Sequence, residues 1–171
     1  MSIIISTLAS EEWTKYRDIR IESLQNEPTA FLSSPEEEEK LDEQIWINNL
    51  KKSSNQQGFT LLFAKDGNQV IGMVAGFWGG REKIKHIAHI YGTYVNPAYR
   101  GKGVGRLLMQ AVIDKFKSIP EVEKVKIEVN AQNISAFTLY QKMGFKIIGK
   151  AEKELKINGV YYDEILMEQF V

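Results

Sequence analysis

The segment Tyr94-Val95-Asn96-Pro97-Ala98-Tyr99-Arg100-Gly101-Lys102-Gly103-Val104-Gly105-Arg106 carries the residues best suited to chemistry in this chain. Gly101, Gly103 and Gly105 put no Cβ over the backbone amides, so a phosphate can approach several N–H groups closely. Arg100, Lys102 and Arg106 add positive charge. An apolar stretch ends at Val95, and from Val104 the residues Leu107, Leu108, Ala111, Val112 and Phe116 recur at helical spacing. The glycines thus lie between a strand and a helix start, where free amides and the helix dipole favour an anion. The pattern reads as a diphosphate cradle; the bland alternative is a tight turn with no ligand.

Two other phosphate motifs fit poorly. A dinucleotide fingerprint needs its glycines after an early strand and an acid about 20 residues on. Here three strands precede the one that enters the turn, and basic residues alternate with the glycines. A Walker A loop needs Gly-Lys-Ser/Thr, whereas Gly103 is followed by Val104.

The elements that position this turn follow from periodicity and turn chemistry. Ile3 to Leu8 reads as an edge strand. Glu11 to Gln25 reads as a helix capped by Ser10, and Asn26 to Ser34, containing Pro28, as a loop. Ser34-Pro35-Glu36-Glu37 opens a second helix that runs through Leu41, Ile45, Trp46, Asn49 and Leu50. Phe59 to Lys65 and Val70 to Trp78 flank Asp66-Gly67-Asn68, a hairpin signal. His86 to Val95 and Lys124 to Val129 bracket the glycine turn and its helix, which predicts a parallel pair with a right-handed crossover. Asn133 to Met143 is a further helix. Ile147 to Lys150 and Tyr161 to Glu168 complete the sheet around an Asn158-Gly159 turn. The expected fold is α/β (α+β): a mixed, mostly antiparallel twisted sheet of six to seven strands, with one central parallel pair and four helices. At 171 residues the expectation is one domain over 1–171.

Composition narrows the function. There are 22 basic and 22 acidic residues, so net charge implies no nucleic-acid partner. The charge is uneven. Residues 11–43 hold 11 acidic and 4 basic side chains, a net of −7; residues 81–126 hold 10 basic and 4 acidic, a net of +6. The absence of cysteine excludes a disulfide framework and a thiol nucleophile, and it fits a cytoplasmic location. No apolar run approaches the ~18 residues of a membrane span, and the start lacks a signal peptide's basic flank. Two histidines and scattered acids form no metal-ligand pattern.

Arg100-Gly101-Lys102-Gly103-Val104-Gly105 resembles the Arg/Gln-x-x-Gly-x-Gly/Ala signature of the GNAT N-acetyltransferase superfamily. A second motif follows at the distance that family shows: Asn133-x-x-Ala136-x-x-Leu139-Tyr140-x-x-x-Gly144-Phe145. The resemblance is specific over about residues 59–150; before that it rests on element order. It implies that the parallel strands splay apart around the pantetheine arm of acetyl-coenzyme A. It further implies that backbone groups of Tyr94 and Val95 bind that arm. The amides of Arg100, Gly101, Lys102, Gly103, Val104, Gly105 and Arg106 would hold the pyrophosphate. Asn133 would bind the arm, cap its helix, or do both.

The implied reaction is direct attack of an amine on a thioester. A phenol with a pKa near ~10 stays protonated at neutral pH, so Tyr140, which matches the family's proton donor, can protonate the leaving thiolate. Where many members carry a glutamate, this chain has His89. With a pKa near ~6.5 a histidine can accept a proton directly or through water. Tyr91, Glu128 and water itself are the alternatives, as is a histidine with no chemical role. The acceptor is expected to be a small-molecule or peptide amine, cationic, and drawn in by acids such as Glu36, Glu37 and Glu38. A non-catalytic acyl-coenzyme A sensor of the same fold is the rival reading. The resemblance leaves a homodimer open.

Overall fold

The computed structural model describes residues 2–56 and 58–171. Seven strands form one sheet: β1 (Ile3–Ser6), β2 (Phe59–Asp66), β3 (Gln69–Phe77), β4 (Ile87–Val95), β5 (Lys124–Asn130), β6 (Lys146–Ile157) and β7 (Val160–Phe170). Their order is β1-β2-β3-β4-β5-β7-β6. β4 and β5 are parallel; the other neighbours are antiparallel. Five α-helices accompany them: α1 (Trp13–Asn26), α2 (Pro35–Glu38), α3 (Glu43–Ser54), α4 (Val104–Lys117) and α5 (Ile134–Lys142). The mixed sheet with one parallel pair is the one expected.

Three local readings change. The helix expected from Ser34 to Leu50 is two helices. Ser34 and Glu37 form a capping box on α2, but the Asp42 side chain accepts from the Gln44 amide and starts α3 afresh. Ser10 does not cap α1; it opens a 3₁₀ turn in which the Glu12 carboxylate accepts from the Ala9 amide. β6 runs seven residues beyond Lys150, because both of its faces are largely exposed and its charged residues hide the strand pattern. At the β6–β7 turn, Asn158 and Gly159 both take positive φ, the geometry of a two-residue hairpin.

The two faces of the sheet hold separate apolar clusters. α1 and α3 pack Tyr16, Ile19, Leu24, Trp46 and Leu50 against Leu61, Phe63, Met73 and Ala75. On the other face α4 buries Leu108, Met109, Val112 and Phe116 against Val74, Ala88, Ile90, Val125 and Ile127. Each such side chain contributes roughly 1.5–3 kcal/mol on full burial. The fit is close: a Cβ on Gly76 would lie 2.6 Å from the Phe116 ring.

β4 changes faces midway. Ala88 and Ile90 point to the α4 side, yet Tyr94 belongs to the α1/α3 cluster. The register with β3 slips by one between Tyr91 and Tyr94, and Gly92 between them has φ +64. This is a β-bulge: one extra residue reverses the alternation beyond it. Pairing of β4 with β5 runs from Ile87↔Lys124 to Ile90↔Ile127 and ends just before the bulge. The strands therefore part at the point where β4 inverts.

Candidate active site

The opened strands border a cavity of about 560 Å³. One wall is Thr93, Tyr94 and Val95; a second is the turn from Arg100 to Arg106; a third is Asn133, Ala136, Leu139 and Tyr140 of α5. Glu27, Thr29 and Ala30 close the fourth side. That segment is tied down by the Asn130 side-chain amide, which donates to the Thr29 carbonyl at 3.0 Å.

The turn matches the cradle reading. Gly101 and Gly103 have φ +73 and +83, where a side chain is strained, and a Cβ at either would meet nothing within 4 Å. Gly103 is the N-cap of α4, so the amides of its first turn have no intrahelical acceptor. Gly105 packs instead: its Cβ would touch Leu139 at 3.4 Å. The basic side chains divide their work. Arg100 donates Nε to the Val95 carbonyl at 3.0 Å and pairs with Glu27 at 2.8 Å. Lys102 does not line the cavity; its Nζ donates to the Ala98 carbonyl at 2.9 Å. Arg106 lines it and makes no ion pair among the described residues. These groups suit a diphosphate approached through amides, with Arg106 free to add charge.

Asn133 caps α5, its Oδ1 accepting from the Ala136 amide at 3.1 Å. Tyr140 is almost wholly buried, and burial pushes its phenol above the usual range, with the Thr93 hydroxyl opposing in part. Tyr94 holds the end of β4 to α1: its hydroxyl donates to Glu22 at 2.8 Å and accepts from Asn26 at 2.8 Å.

His89 lines neither this cavity nor the next. It lies before the bulge, on the α1/α3 face, stacked on Phe77 with ring centroids 4.6 Å apart. Burial, then Lys126, pull its pKa below the usual value, while Glu128 opposes them.

A second cavity, about 860 Å³, lies on the α1/α3 face. Gly92 and Tyr91 line it, while Thr93 lines the first. The bulge thus brings the linings of two cavities to adjacent residues of one strand. Of the acids expected to attract a cation, Glu37 serves the α2 cap, and Glu38 is held by the Arg20 guanidinium at 2.6 and 2.9 Å.

The two sequence motifs hold thirteen of the first cavity's nineteen lining residues but miss Glu27, Thr29, Ala30, Thr93, Gln132 and Ser135. Thr93 was within reach of a reading that placed a bulge at Gly92; Glu27 and Thr29 arrive by a loop with no local signal.

A family model described as the acetyltransferase (GNAT) family matches residues 19–145. The L-amino acid N-acetyltransferase AaaT of Escherichia coli is 26% identical over 117 residues, covering 68% of this chain and 72% of that protein. The acetyltransferase of GNAT family from Streptococcus pneumoniae superposes with a TM-score of 0.88 over 99% of this chain and all of its own, at 22% identity. The yncA protein of Salmonella typhimurium, solved with its cofactor acetyl-CoA, gives a TM-score of 0.84 at 17% identity, covering 99% and 94% of the two chains. The cradle, the splayed pair and the matched model agree: the chain belongs to the acetyltransferase (GNAT) family and is an acyltransferase.

Proposed function

We propose that this chain transfers the acetyl group of acetyl-coenzyme A to a primary amine by direct attack. The observation that carries the reading is at Gly92: Thr93 lines the cavity with the glycine cradle and Tyr140, and the preceding residues Tyr91 and Gly92 line a second cavity of about 860 Å³, room enough for an acceptor. Acetyl-coenzyme A supplies the activated acyl group: the amine nitrogen bonds to the acetyl carbon, the C–S bond breaks, and coenzyme A leaves as a thiol.

The chain's residues do the rest. Amides of Gly103 to Arg106 hold the diphosphate, and the free edges of β4 and β5 align the arm. Thr93 and Leu139 exclude water from one side. Tyr140 keeps its proton throughout the neutral range and presents it to the sulfur. A phenol above ~10 is a weaker acid than a thiol near ~8.5, so its main effect is a hydrogen bond that strengthens as charge builds on sulfur. The proton lost by the amine restores the balance. His89 lines neither cavity and is stacked behind Phe77 of the acceptor cavity's wall, so it would act as base only through a bridging water, and water itself is the other acceptor of the amine's proton.

Initial-rate kinetics test the order of events. Direct attack requires a ternary complex, so double-reciprocal lines for acetyl-coenzyme A and amine should intersect. Parallel lines, or an acetylated protein trapped without amine, would overturn it; with no cysteine in the chain, a thiol-linked carrier is excluded.

A further inference from the structure

The second cavity has an aromatic wall. Phe77 and Tyr91 are 43% and 46% exposed although both lie within strands. Their ring centroids are 5.8 Å apart at a 58° tilt; His89 covers one face of Phe77, and the exposed remainder of both rings lines the cavity beside Gly92. Tyr16 and Trp78 line the same space. Trp46 lines it from α3, and its buried indole N–H has no acceptor in the protein.

Such faces suit either a flat apolar body or an organic cation. Charge decides between them. The lining carries Arg20 and Lys52 against a single carboxylate, Glu38. Glu38 accepts three hydrogen bonds from the Arg20 guanidinium, at 2.6, 2.9 and 3.1 Å, and is matched. Lys52, with its Nζ 5.4 Å from the Phe59 ring, makes no ion pair among the described residues. A polyamine would bring further positive centres to a wall that is already net positive. A ligand with an anion near Lys52 would gain.

The separation follows from register. Tyr91 faces Ala75, and Ala75 faces Leu61, so β2 lies two strands from β4. Phe59 on β2 therefore lies about 10 Å from β4 across the sheet, and Lys52 of α3 holds its Nζ 5.4 Å from the Phe59 ring. Given the transfer reaction proposed above, we infer that the acceptor is a primary amine on an aromatic body, with an anionic group at the far end, near Lys52. An α-amino acid holds its carboxylate beside the amine and does not span that distance.

Four probes separate the possibilities: 4-(2-aminoethyl)benzoate, phenethylamine, phenylalanine and spermidine. Binding to the protein saturated with coenzyme A is measured by calorimetry, and turnover by thiol release from acetyl-coenzyme A. The aminoethylbenzoate should bind and react best, about threefold better than phenethylamine. Lys52→Ala should erase that difference, as expected for a rim charge pair. Phe77→Leu should weaken both aromatic amines about three- to tenfold. Spermidine or phenylalanine as the best ligand, or a preference for the carboxylate that survives Lys52→Ala, overturns the inference while leaving transfer intact. Tight binding of the aromatic amines with no thiol release supports the site and overturns transfer. If none of the four binds or reacts, the aromatic acceptor falls, while transfer stands or falls on release of thiol with other primary amines.

Discussion

Gly103 offers a sharp test of the cradle, because backbone strain and ligand repulsion can be separated there. Its φ of +83 makes any side chain costly, about 1–2 kcal/mol. A Cβ meets nothing within 4 Å, so Gly103→Ala and Gly103→Glu carry the same strain and no clash. For a chain of 171 residues each kcal/mol moves Tm by about 2–4 °C, so both free proteins should melt about 2–8 °C below the parent. The ligand effect should then diverge. At 100 times its Kd, acetyl-coenzyme A adds about 2.7 kcal/mol, or roughly 5–11 °C. A carboxylate ~5 Å from the diphosphate opposes each unit of charge by about 1–3 kcal/mol at an effective dielectric of ~20–80. A 100-fold rise in Kd leaves about 0.4 kcal/mol, or some 1–2 °C, at the same concentration. Thermal melts with and without acetyl-coenzyme A read all of this. If Gly103→Glu retains the full ligand shift, the diphosphate does not sit at this turn.

Tyr140→Phe should lower kcat about 10²–10³-fold with little change in the Kd of acetyl-coenzyme A, measured by single-turnover and calorimetric assays; a kcat within twofold of the parent would leave Tyr140 a packing residue. Burial raises the Tyr140 phenol, so kcat should show no falling limb from this group between pH 7 and 9. The His89 pKa is lowered, so kcat/KM should rise through an ionisation below pH ~6.5, and His89→Ala should remove that limb if the proton passes to it. The same shift means that the unfolded chain binds more protons than the folded one just below pH ~6.5, so stability falls with acid there, and less so in His89→Ala. Tyr16, pushed up to about 12 by burial, keeps its proton in the folded state after an unfolded phenol has lost it near ~10. Denaturant unfolding should thus show stability declining above pH 10, and Tyr16→Phe should flatten that decline.

The glycine turn, its helix and the parallel pair were legible because each has a local cause. Alternation ends at Val95, helical period begins at Val104, and glycines with a special φ stand between them. The break at Asp42 was not read, although Asp42-Glu43 is itself a cap signal, because the apolar positions continue in helical register across it. The tail of β6 was hidden by Glu152, Lys153, Glu154 and Lys156, whose exposure removes the apolar period a strand normally shows. The bulge at Gly92 mattered most for the site. A lone glycine in a strand can mark a bulge, but only the register with β3 shows that it turns Thr93 toward Tyr140 and leaves His89 on the opposite face. The acidic run was legible as charge. Its pairing of Glu38 with Arg20 joins residues 18 apart and could not be read from spacing.

The most direct test of the account is the release of free thiol from acetyl-coenzyme A by the parent protein, followed with and without a primary amine and paired with mass analysis of that amine. The account predicts release that depends on the amine, matched one for one by a product heavier by one acetyl group, and lost in Gly103→Glu at moderate cofactor concentration. Saturable binding of acetyl-coenzyme A with no amine-dependent release across amino acids, polyamines, arylalkylamines and short peptides would contradict it, and the protein would then be a sensor built on an acetyltransferase fold.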